Sequence, residues 1–591
     1  MKAERARACV AQREPIELGR RRVVQTRELL EGGRVAEEDR ELGAGQEGTP
    51  SLHVRVSRVR GTRLVQDYLA GDPRAAAFYD GNPADPAAWR AKLAEVSARF
   101  GRAERERAAA ALAPTSAGAA ERLRRFVDEG GAMVTTGQQA GLFTGPLYTI
   151  HKILSAVRLA EALEQSLGIV VLPVFWAASE DHDFAEVNHA YATDAGGELR
   201  RVAVAASTRV AVPMSEMRLG DDVEAALATF AQSVSGDGDA DASVALLRDA
   251  YRPGVTVADA FRAAIVSLFA DFDLLVTDAA DPALKAASAE VLLGELANAA
   301  EHERLIGEQT AALGAAGYTT QVTLVEGATN VFWHGPAGRE RLYRDGDGFE
   351  AKDARRHFTL DELRTVLAAD PRALSPNVFL RPVAESAVFP TLAYVGGPAE
   401  TAYFAQVRPL FAAFGIRPPL AFPRFGATIV PVEVAEARRR AGVEDEDLAL
   451  PAHELWERVA RRHMPAGLWE RIAALRTALV DGFGAVMDGA REIDPNLDPA
   501  VGARRNRALL EVAKSERTVV RHFKQRNPGL ERDVRLVRNH LRPLGIPQER
   551  ALTVFQYLAR DPSLLRRIAS AMVMEIAPDA HPAAEPVAAA G

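Results

Sequence analysis

One unit near residue 150 fixes most of what this chain can fold into. Ala132-Met133-Val134-Thr135 is a short apolar run that leads into Thr136-Gly137-Gln138-Gln139-Ala140-Gly141, and Leu142-Phe143-Thr144-Gly145-Pro146 follows. We read a buried strand and then a glycine loop rich in side-chain amides. Pro146 suits the first turn of a helix, where its missing N–H is no loss. Ile150, Ile153, Leu154, Val157 and Leu159 recur at helical spacing. Ile169 to Trp176 is an almost unbroken apolar run, the mark of a strand covered on both faces. Strand, loop, helix, strand is a βαβ unit, and such units build parallel sheets.

Open parallel sheets bind ligands outside the carboxyl ends of their strands, and both polar clusters of this unit fall there. The first comprises Thr136, Gly137, Gln138, Gln139, Gly141, Thr144 and Gly145, with His151 and Lys152 one turn into the helix. It lacks the Gly-Lys-Ser/Thr ending of a Walker A loop and is not a GxGxxG fingerprint. By mechanism it is an anion or nucleotide loop, since loop N–H groups and a helix N-terminus attract negative charge. The second is Ser179-Glu180-Asp181-His182-Asp183, with Glu186 and His189 behind it. Asp181, His182, Asp183, Glu186 and His189 could ligate a metal, but they serve equally to hold the polar ends of an organic substrate. We assign no resident metal and expect Mg²⁺ only in passing, carried with a nucleotide. A third polar loop, Gly396-Gly397-Pro398, ends the apolar run Leu392–Val395 and opens a helix bearing Glu400, Tyr403 and Gln406.

The rest of the chain is arranged around this unit. At 591 residues, two or more domains are expected. Residues 1–50 read as a flexible leader and 579–591 as a disordered tail, with an α/β core over 51–430 and a helical region over 431–560. Insertions are expected at about 196–255 and 310–375. Within them, 202–204 and 210–212 read as a hairpin and 319–325 and 330–333 as strands; between them, the helix opened by Asp281-Pro282 runs to Gly307. Val378–Leu380 reads as a further strand. Past 431, Ile472, Leu475, Leu479, Phe483 and Val486, then Leu509, Val512, Val519 and Phe523, fall at heptad-like spacing, which predicts two long antiparallel helices.

The formal charge of -8 gives no reason to expect nucleic acid as a partner. Without a long apolar run or a signal-like start, the expected location is the cytoplasm, with no membrane partner. The single Cys9 excludes an internal disulfide and a cysteine zinc site. Of the 72 basic residues only seven are lysine: Lys2, Lys92, Lys152, Lys285, Lys352, Lys514 and Lys524. In a chain so biased toward arginine, the lysines that remain should concentrate where a compact ammonium matters. Lys152 adjoins the glycine loop.

TGQQAGLFTGPLYTIHK and PVFWAASEDHDFAEVNH together resemble the bacillithiol-biosynthesis cysteine-adding enzyme family. LLVTDAADPALK, QVTLVEGATNVF, FPTLAYVGGPAETAYFAQ and PRFGATIV continue the likeness over roughly 55–560. The resemblance implies a Rossmann-like core with connecting insertions, akin to class I aminoacyl-tRNA synthetases, and a C-terminal antiparallel coiled coil used in homodimerisation. It implies a ligase that joins cysteine, through its carboxylate, to the amine of glucosaminyl-malate, with ATP to activate the acyl group. His151 would stand where the histidine signature of class I ligases holds phosphates, an inference from fold analogy. Lys152 and the loop amides would stabilise phosphate charge. Asp181, His182 and Asp183 would hold an ammonium, and Glu186 or His189 would take the proton of the attacking amine. Val383-Ala384-Glu385-Ser386 departs from the family's amide–acid pattern, and Ser179 stands where glycine is usual. Two other classes stay open on the residues alone: a metal-dependent sugar-modifying or hydrolytic enzyme, and a noncatalytic nucleotide-binding scaffold.

Overall fold

The computed structural model describes residues 40–42, 51–234, 240–465 and 467–576. At its centre is a six-stranded sheet whose strands, in chain order, are β1 (Ala113–Pro114), β2 (Ala132–Gln139), β3 (Val171–Ala178), β4 (Leu275–Asp278), β5 (Thr391–Gly396) and β6 (Leu420–Pro423). They lie side by side as β6-β5-β2-β3-β4-β1, and every neighbouring pair is parallel except β4 with β1. β2 and β3 are covered on both faces, as their unbroken apolar text requires. Between them runs α1 (Tyr148–Leu167), which buries residues around most of its circumference because it is packed on both sides. The sheet covers one side; the strand Phe425–Pro431 and the helix Leu564–Ala571 cover the other. α1 stops at Gly168, whose φ of 68° is left-handed backbone that glycine adopts without strain.

The strand order reverses between β2 and β5. From β2 the chain steps outward to β3 and β4, then returns on the other side of β2 to β5 and β6. At such a switch point the connections leave the sheet in opposite directions and open a crevice at the carboxyl ends. Here Gly137–Gln139 and Gly396 border it, and α2 (Pro398–Ala413) starts from its rim. β2 runs further than expected. Thr136 to Gln139, expected in a loop, pair along their backbone with Phe175 to Ala178, and the Thr136 hydroxyl donates to the Val395 carbonyl at 2.7 Å. The loop proper begins at Ala140.

Between β3 and β4 the hairpin joins His189–Thr193 to Leu199–Ala203, so the expected 202–204/210–212 pairing is displaced. Between β4 and β5, the single helix expected from Pro282 to Gly307 is two, Pro282–Ala297 and Ala299–Ala315. A five-stranded antiparallel sheet follows, built on Ala328–Gly335 and Gly338–Asp345. The runs 319–325 and 378–380 are not strands. Gln321 and Val322 donate their N–H groups to Gln406 Oε1 at 3.0 and 3.1 Å. Phe379 and Leu380 donate theirs to Asn377 Oδ1 at 2.9 and 3.0 Å, just before the helix Arg381–Val388. In each case side-chain oxygens take the N–H groups that a sheet partner would otherwise satisfy.

Past the core, α3 (Leu468–Ile493) and α4 (Asp498–Arg526) form the two long helices that the heptad spacing predicts, packed on each other. Glu516 receives Arg461 and Arg476 at their base. Leu475, Val480, Val486 and Ile493 on α3 are exposed. The chain then returns through Pro528–Leu541, and Leu552 to Met572 join the same apolar cluster as β2, β3 and α1. Of the expected leader, Arg40–Leu42 adds a strand to Leu52–Arg58, which pairs on its other edge with Phe425–Pro431. The remainder of 1–50, Cys9 included, and the tail 579–591 lie outside the described residues. Among the described residues no helix is long and apolar enough to cross a membrane.

Candidate active site

The crevice between β2 and β5 is closed underneath by a buried ion pair. Lys152, 2% exposed, points its ammonium at Glu400 Oε2 at 2.5 Å, the Gly137 carbonyl at 2.7 Å and Gln138 Oε1 at 3.0 Å. Its three protons are therefore all donated within the protein. Burial lowers its pKa, against the pull of Glu400. Burial pushes the other way on Glu400, but Lys152, the Gly397 N–H at 2.8 Å and the Tyr394 hydroxyl at 2.9 Å outweigh it and hold the carboxyl below its ordinary value. Glu400 is partly exposed at the rim and Lys152 is not. This corrects the expected direct contact of Lys152 with phosphate: the lysine sits beneath the crevice, and Glu400 is the member that faces it.

The glycine loop carries strain. Phe143, Thr144 and Gly145 take φ values of 51°, 65° and 71°, left-handed backbone that costs about 1–3 kcal/mol for each non-glycine residue. A Cβ on Gly141 would meet the Gly145 Cα at 2.8 Å, so only glycine lets the loop fold back on itself. Three hydrogen bonds hold the shape. The Thr144 N–H donates to the Tyr251 hydroxyl at 3.1 Å, that hydroxyl donates to the Gly141 carbonyl at 3.2 Å, and the Thr553 hydroxyl donates to the Phe143 carbonyl at 3.1 Å.

His151 is fully buried beside Glu549, with Nδ1 3.1 Å from Oε2. Burial lowers its pKa, so the ring is neutral at pH 7. A carboxylate only accepts, so Nδ1 bears the proton and Nε2 is left as a bare acceptor. Arg424 grips the same carboxylate with both terminal nitrogens, at 2.8 and 2.6 Å. Burial would raise the Glu549 pKa, but Arg424 and His151 hold it well below the usual carboxylate range. Four buried polar atoms in this neighbourhood have no partner: Thr144 Oγ1, Thr149 Oγ1, His151 Nε2 and Arg424 Nε. Each such orphan costs about 1–3 kcal/mol. A Cβ on Gly397 would lie 3.3 Å from Glu400 Oε2 and 3.9 Å from Arg424 Nε, so glycine there keeps the approach open. Hydroxyls, an imidazole acceptor and a guanidinium N–H around a glycine-lined crevice fit a polar, anion-bearing ligand such as a nucleotide.

The acidic loop after β3 forms the second half. Gln139 donates to Asp181 and, at 3.3 Å, to Glu186, which ties the end of β2 to this loop. Burial would raise the Asp181 pKa, but the Gln139 amide, Arg339 and the backbone N–H groups of Asp183 and His182 outweigh it and keep the carboxylate ionised. Asp183 caps the short helix Phe184–Val187 through the Glu186 N–H at 3.2 Å. Desolvation and Arg339 lower the His182 pKa, so this half-exposed imidazole is neutral and able to accept a proton. The Ser179 hydroxyl donates to Asp278 and locks β3 to β4. Glu180 is not in the crevice; it pairs with buried Lys285. Among the described residues no group of three or more His, Cys, Asp or Glu side chains is disposed to hold a metal ion.

Three expected site residues lie elsewhere. His189 opens a strand, and its ring contacts Asn188 and Tyr191 rather than the acidic loop. Gln406 is 1% exposed and spends its amide bracing 321–322. Tyr403 is buried behind Glu400, where its hydroxyl accepts from Arg381 at 3.2 Å. Arg381 in turn pairs with Glu385 at 2.6 Å, and Glu385 accepts from Thr135. Arg424, Glu549 and Arg339 were missed. Arg424 lies within PRFGATIV and was legible there as the one cation in an apolar motif.

Residues 52–425 match the family described as "Bacillithiol biosynthesis BshC, N-terminal Rossmann-like domain". Residues 427–574 match "Bacillithiol biosynthesis BshC, C-terminal coiled-coil domain". The chain belongs to the BshC family. Proteins of Koribacter versatilis and Solibacter usitatus are each 32% identical to it over 508 residues, 84% of this chain and 93% of theirs. One of Geobacillus thermodenitrificans is 29% identical over 513 residues, with the same coverage. All three carry the name "Putative cysteine ligase BshC". The crevice, the strained loop and the acidic loop all fall within the Rossmann-like match; Glu549 reaches them from the coiled-coil match.

Proposed function

We propose that this protein is the cysteine ligase of bacillithiol biosynthesis, joining the carboxylate of cysteine to the amine of glucosaminyl-malate with consumption of ATP. The observation that carries the reading is that Thr144 Oγ1, Thr149 Oγ1, His151 Nε2 and Arg424 Nε, near the carboxyl ends of β2 and β5, are buried without a hydrogen-bond partner, a lack that the polar groups of a ligand would relieve. A free carboxylate does not acylate an amine, and ATP bound in the crevice would supply the activation. The donors suited to its phosphates are the two threonine hydroxyls and Arg424 Nε. His151 Nε2, an acceptor, suits a ligand hydroxyl. Glu400, fixed by Lys152, suits an ammonium or hydroxyl at the rim.

Asp181, ionised and partly buried, suits the ammonium of an amine substrate. His182, neutral one residue on, is the group best able to take the proton as that amine becomes a nucleophile. Mg²⁺ would enter only with the nucleotide. The exposed apolar residues of α3 support a homodimer formed through the coiled coil.

Mass spectrometry of the protein incubated with ATP, cysteine and glucosaminyl-malate tests this. The expected product is the cysteinyl amide of the amino sugar, formed only when all three are present. Failure of that mixture both to form product and to consume ATP would overturn the reading.

A further inference from the structure

Beyond the crevice, the five-stranded inserted sheet turns one face toward the acidic loop. On adjacent strands, Arg341 lies opposite Phe332 and Arg339 opposite His334. Residues at this alternate spacing share a face, and Phe332, His334, Arg339 and Arg341 are all only half-buried. Both guanidinium groups lie over the single Phe332 ring, at 3.9 Å for Arg339 and 5.2 Å for Arg341. The His182 ring stands 6.4 Å from the same Phe332, and Arg339 Nη1 is 3.4 Å from His182 Nδ1. The face is thus continuous with the loop that carries Asp181.

These two arginines differ from their neighbours. Arg344, farther along the same strand, is bound to Glu303. Among the described residues, neither Arg339 nor Arg341 has a carboxylate oxygen within 4.0 Å. Arg339 is braced by Ser375 Oγ at 3.0 Å and the Pro376 carbonyl at 3.2 Å, both neutral acceptors. That leaves guanidinium protons free, held in a fixed plane by the ring beneath. Arg341 makes no side-chain hydrogen bond among the described residues. Desolvation lowers the pKa of both; Glu180 and Asp181 oppose it at Arg339 without offsetting it, and no carboxylate opposes it at Arg341. Two such cations side by side repel each other, and an anion with two negative groups relieves both burdens at once.

We propose that Arg339 and Arg341 form the subsite that receives the two carboxylates of the acceptor's malyl group, while the acidic loop receives its amine. Identifying the occupant as the acceptor rests on the ligase reading. Charge complementarity decides among the substrates. An amino sugar bearing a dicarboxylate has a cationic end for Asp181 and a dianionic end for a pair of planar forks. Cysteine has one carboxylate, and it is the reacting group. Phe332 makes the platform dry and rigid, so each arginine loses little freedom when a carboxylate docks.

The test uses the full-length protein with Arg341→Gln and, to guard against disruption of the braced residue, Arg339→Lys. KM is measured separately for glucosaminyl-malate, cysteine and ATP, beside thermal melts. The expected result for Arg341→Gln is a rise of roughly tenfold or more in KM for glucosaminyl-malate, the loss of one charge-assisted pair. KM for cysteine and ATP should be unchanged, as should the melting temperature. Arg339→Lys keeps the charge but loses the fork and should show a smaller rise in the same constant. An unchanged acceptor KM overturns the proposal, and so does a rise in KM for ATP or for cysteine in its place. Calorimetric titration with L-malate separates this from failure of the ligase reading. Malate binding by the parent that Arg341→Gln weakens tenfold supports the subsite even if no amide forms. No malate binding by the parent overturns it.

Discussion

Lys152→Met tests whether the lysine beneath the crevice is a structural partner of Glu400 or a ligand contact. The methionine has nearly the shape of the lysine stem, so packing around a 2% exposed side chain is kept and only the ammonium goes. Glu400 would retain the Gly397 N–H and the Tyr394 hydroxyl but lose its counter-charge, and the Gly137 carbonyl would lose a donor. Breaking a buried ion pair from one side costs about 3–5 kcal/mol. Glu400 is partly exposed, which favours the lower figure, and the stranded carbonyl adds about 1 kcal/mol or more. We therefore work with about 3–5 kcal/mol. With an unfolding entropy of about 2.1 cal/mol/K per residue over the core 52–425, that is a fall of roughly 4–6 °C in Tm. Lys152→Met/Glu400→Gln removes the unpaired charge and should recover about 2 kcal/mol of the loss, seen as non-additivity in a double-mutant cycle. Calorimetric melts of the four proteins decide it. Lys152→Met melting within a degree of the parent, or single losses that simply add, would refute the reasoning.

Glu549→Gln should leave Arg424 with half its charge-assisted grip and His151 without a carboxylate to fix its tautomer; we expect a loss of 2 kcal/mol or more in thermal melts. Turnover should fall by more than tenfold, and undiminished turnover would exclude Glu549 from positioning His151. Burial, with Arg560 adding to it and Glu433 opposing, lowers the His540 pKa to about 4. The unfolded chain, near 6.5, takes up its proton first, so the stability this neutral ring contributes is complete above pH 6.5 and is lost as pH falls toward about 4. At pH 5 the loss is about 2 kcal/mol, and Tm measured against pH should be flatter by that amount in His540→Gln; parallel curves would contradict it. Excising residues 480–511 and joining α3 to α4 by a short turn should leave the core folded and convert a dimer to a monomer in sedimentation. A dimer that survives would move the interface elsewhere.

The unit from β2 to β3 was legible because its periodicities are clear: apolar runs for the strands and apolar residues at helical spacing between them. Its boundary was misread at Thr136–Gln139 for a physical reason. Glycine and glutamine break the apolar pattern, yet the backbone there still pairs with β3, because the sheet continues to the lip of a polar crevice. Apolar text misled in the opposite sense at 319–325 and 378–380, where Gln406 and Asn377 take the N–H groups a strand would have shared. Half of the candidate site could be read because it lies within one stretch of chain. Glu549 could not, since it stands 398 residues from His151, and no local pattern announces that contact. Nor does local text say that Arg339, in a polar hairpin, faces the loop after β3.

The scarcity of lysine carries a further lesson about the fold. Lys92, Lys152 and Lys285 are 1–2% exposed, and each ammonium reaches a carboxylate and a backbone carbonyl. Lys92 joins Glu95 to the Arg417 carbonyl, Lys152 joins Glu400 to the Gly137 carbonyl, and Lys285 joins Glu180 to the Leu374 carbonyl. In every case the carbonyl or the carboxylate belongs to a segment distant in sequence from the lysine. A guanidinium would need a planar slot and five acceptors; an ammonium on a slender stem needs three acceptors around a point. Lys352, Lys514 and Lys524 stay on the surface, so the argument holds for the three buried lysines, whose slender stems carry a cross-link through packed apolar surroundings. On this argument, the site is organised by lysines that do not enter it: Lys152 sets Glu400 at the crevice, and Lys285 ties the loop after β3 to the sheet that presents Arg339.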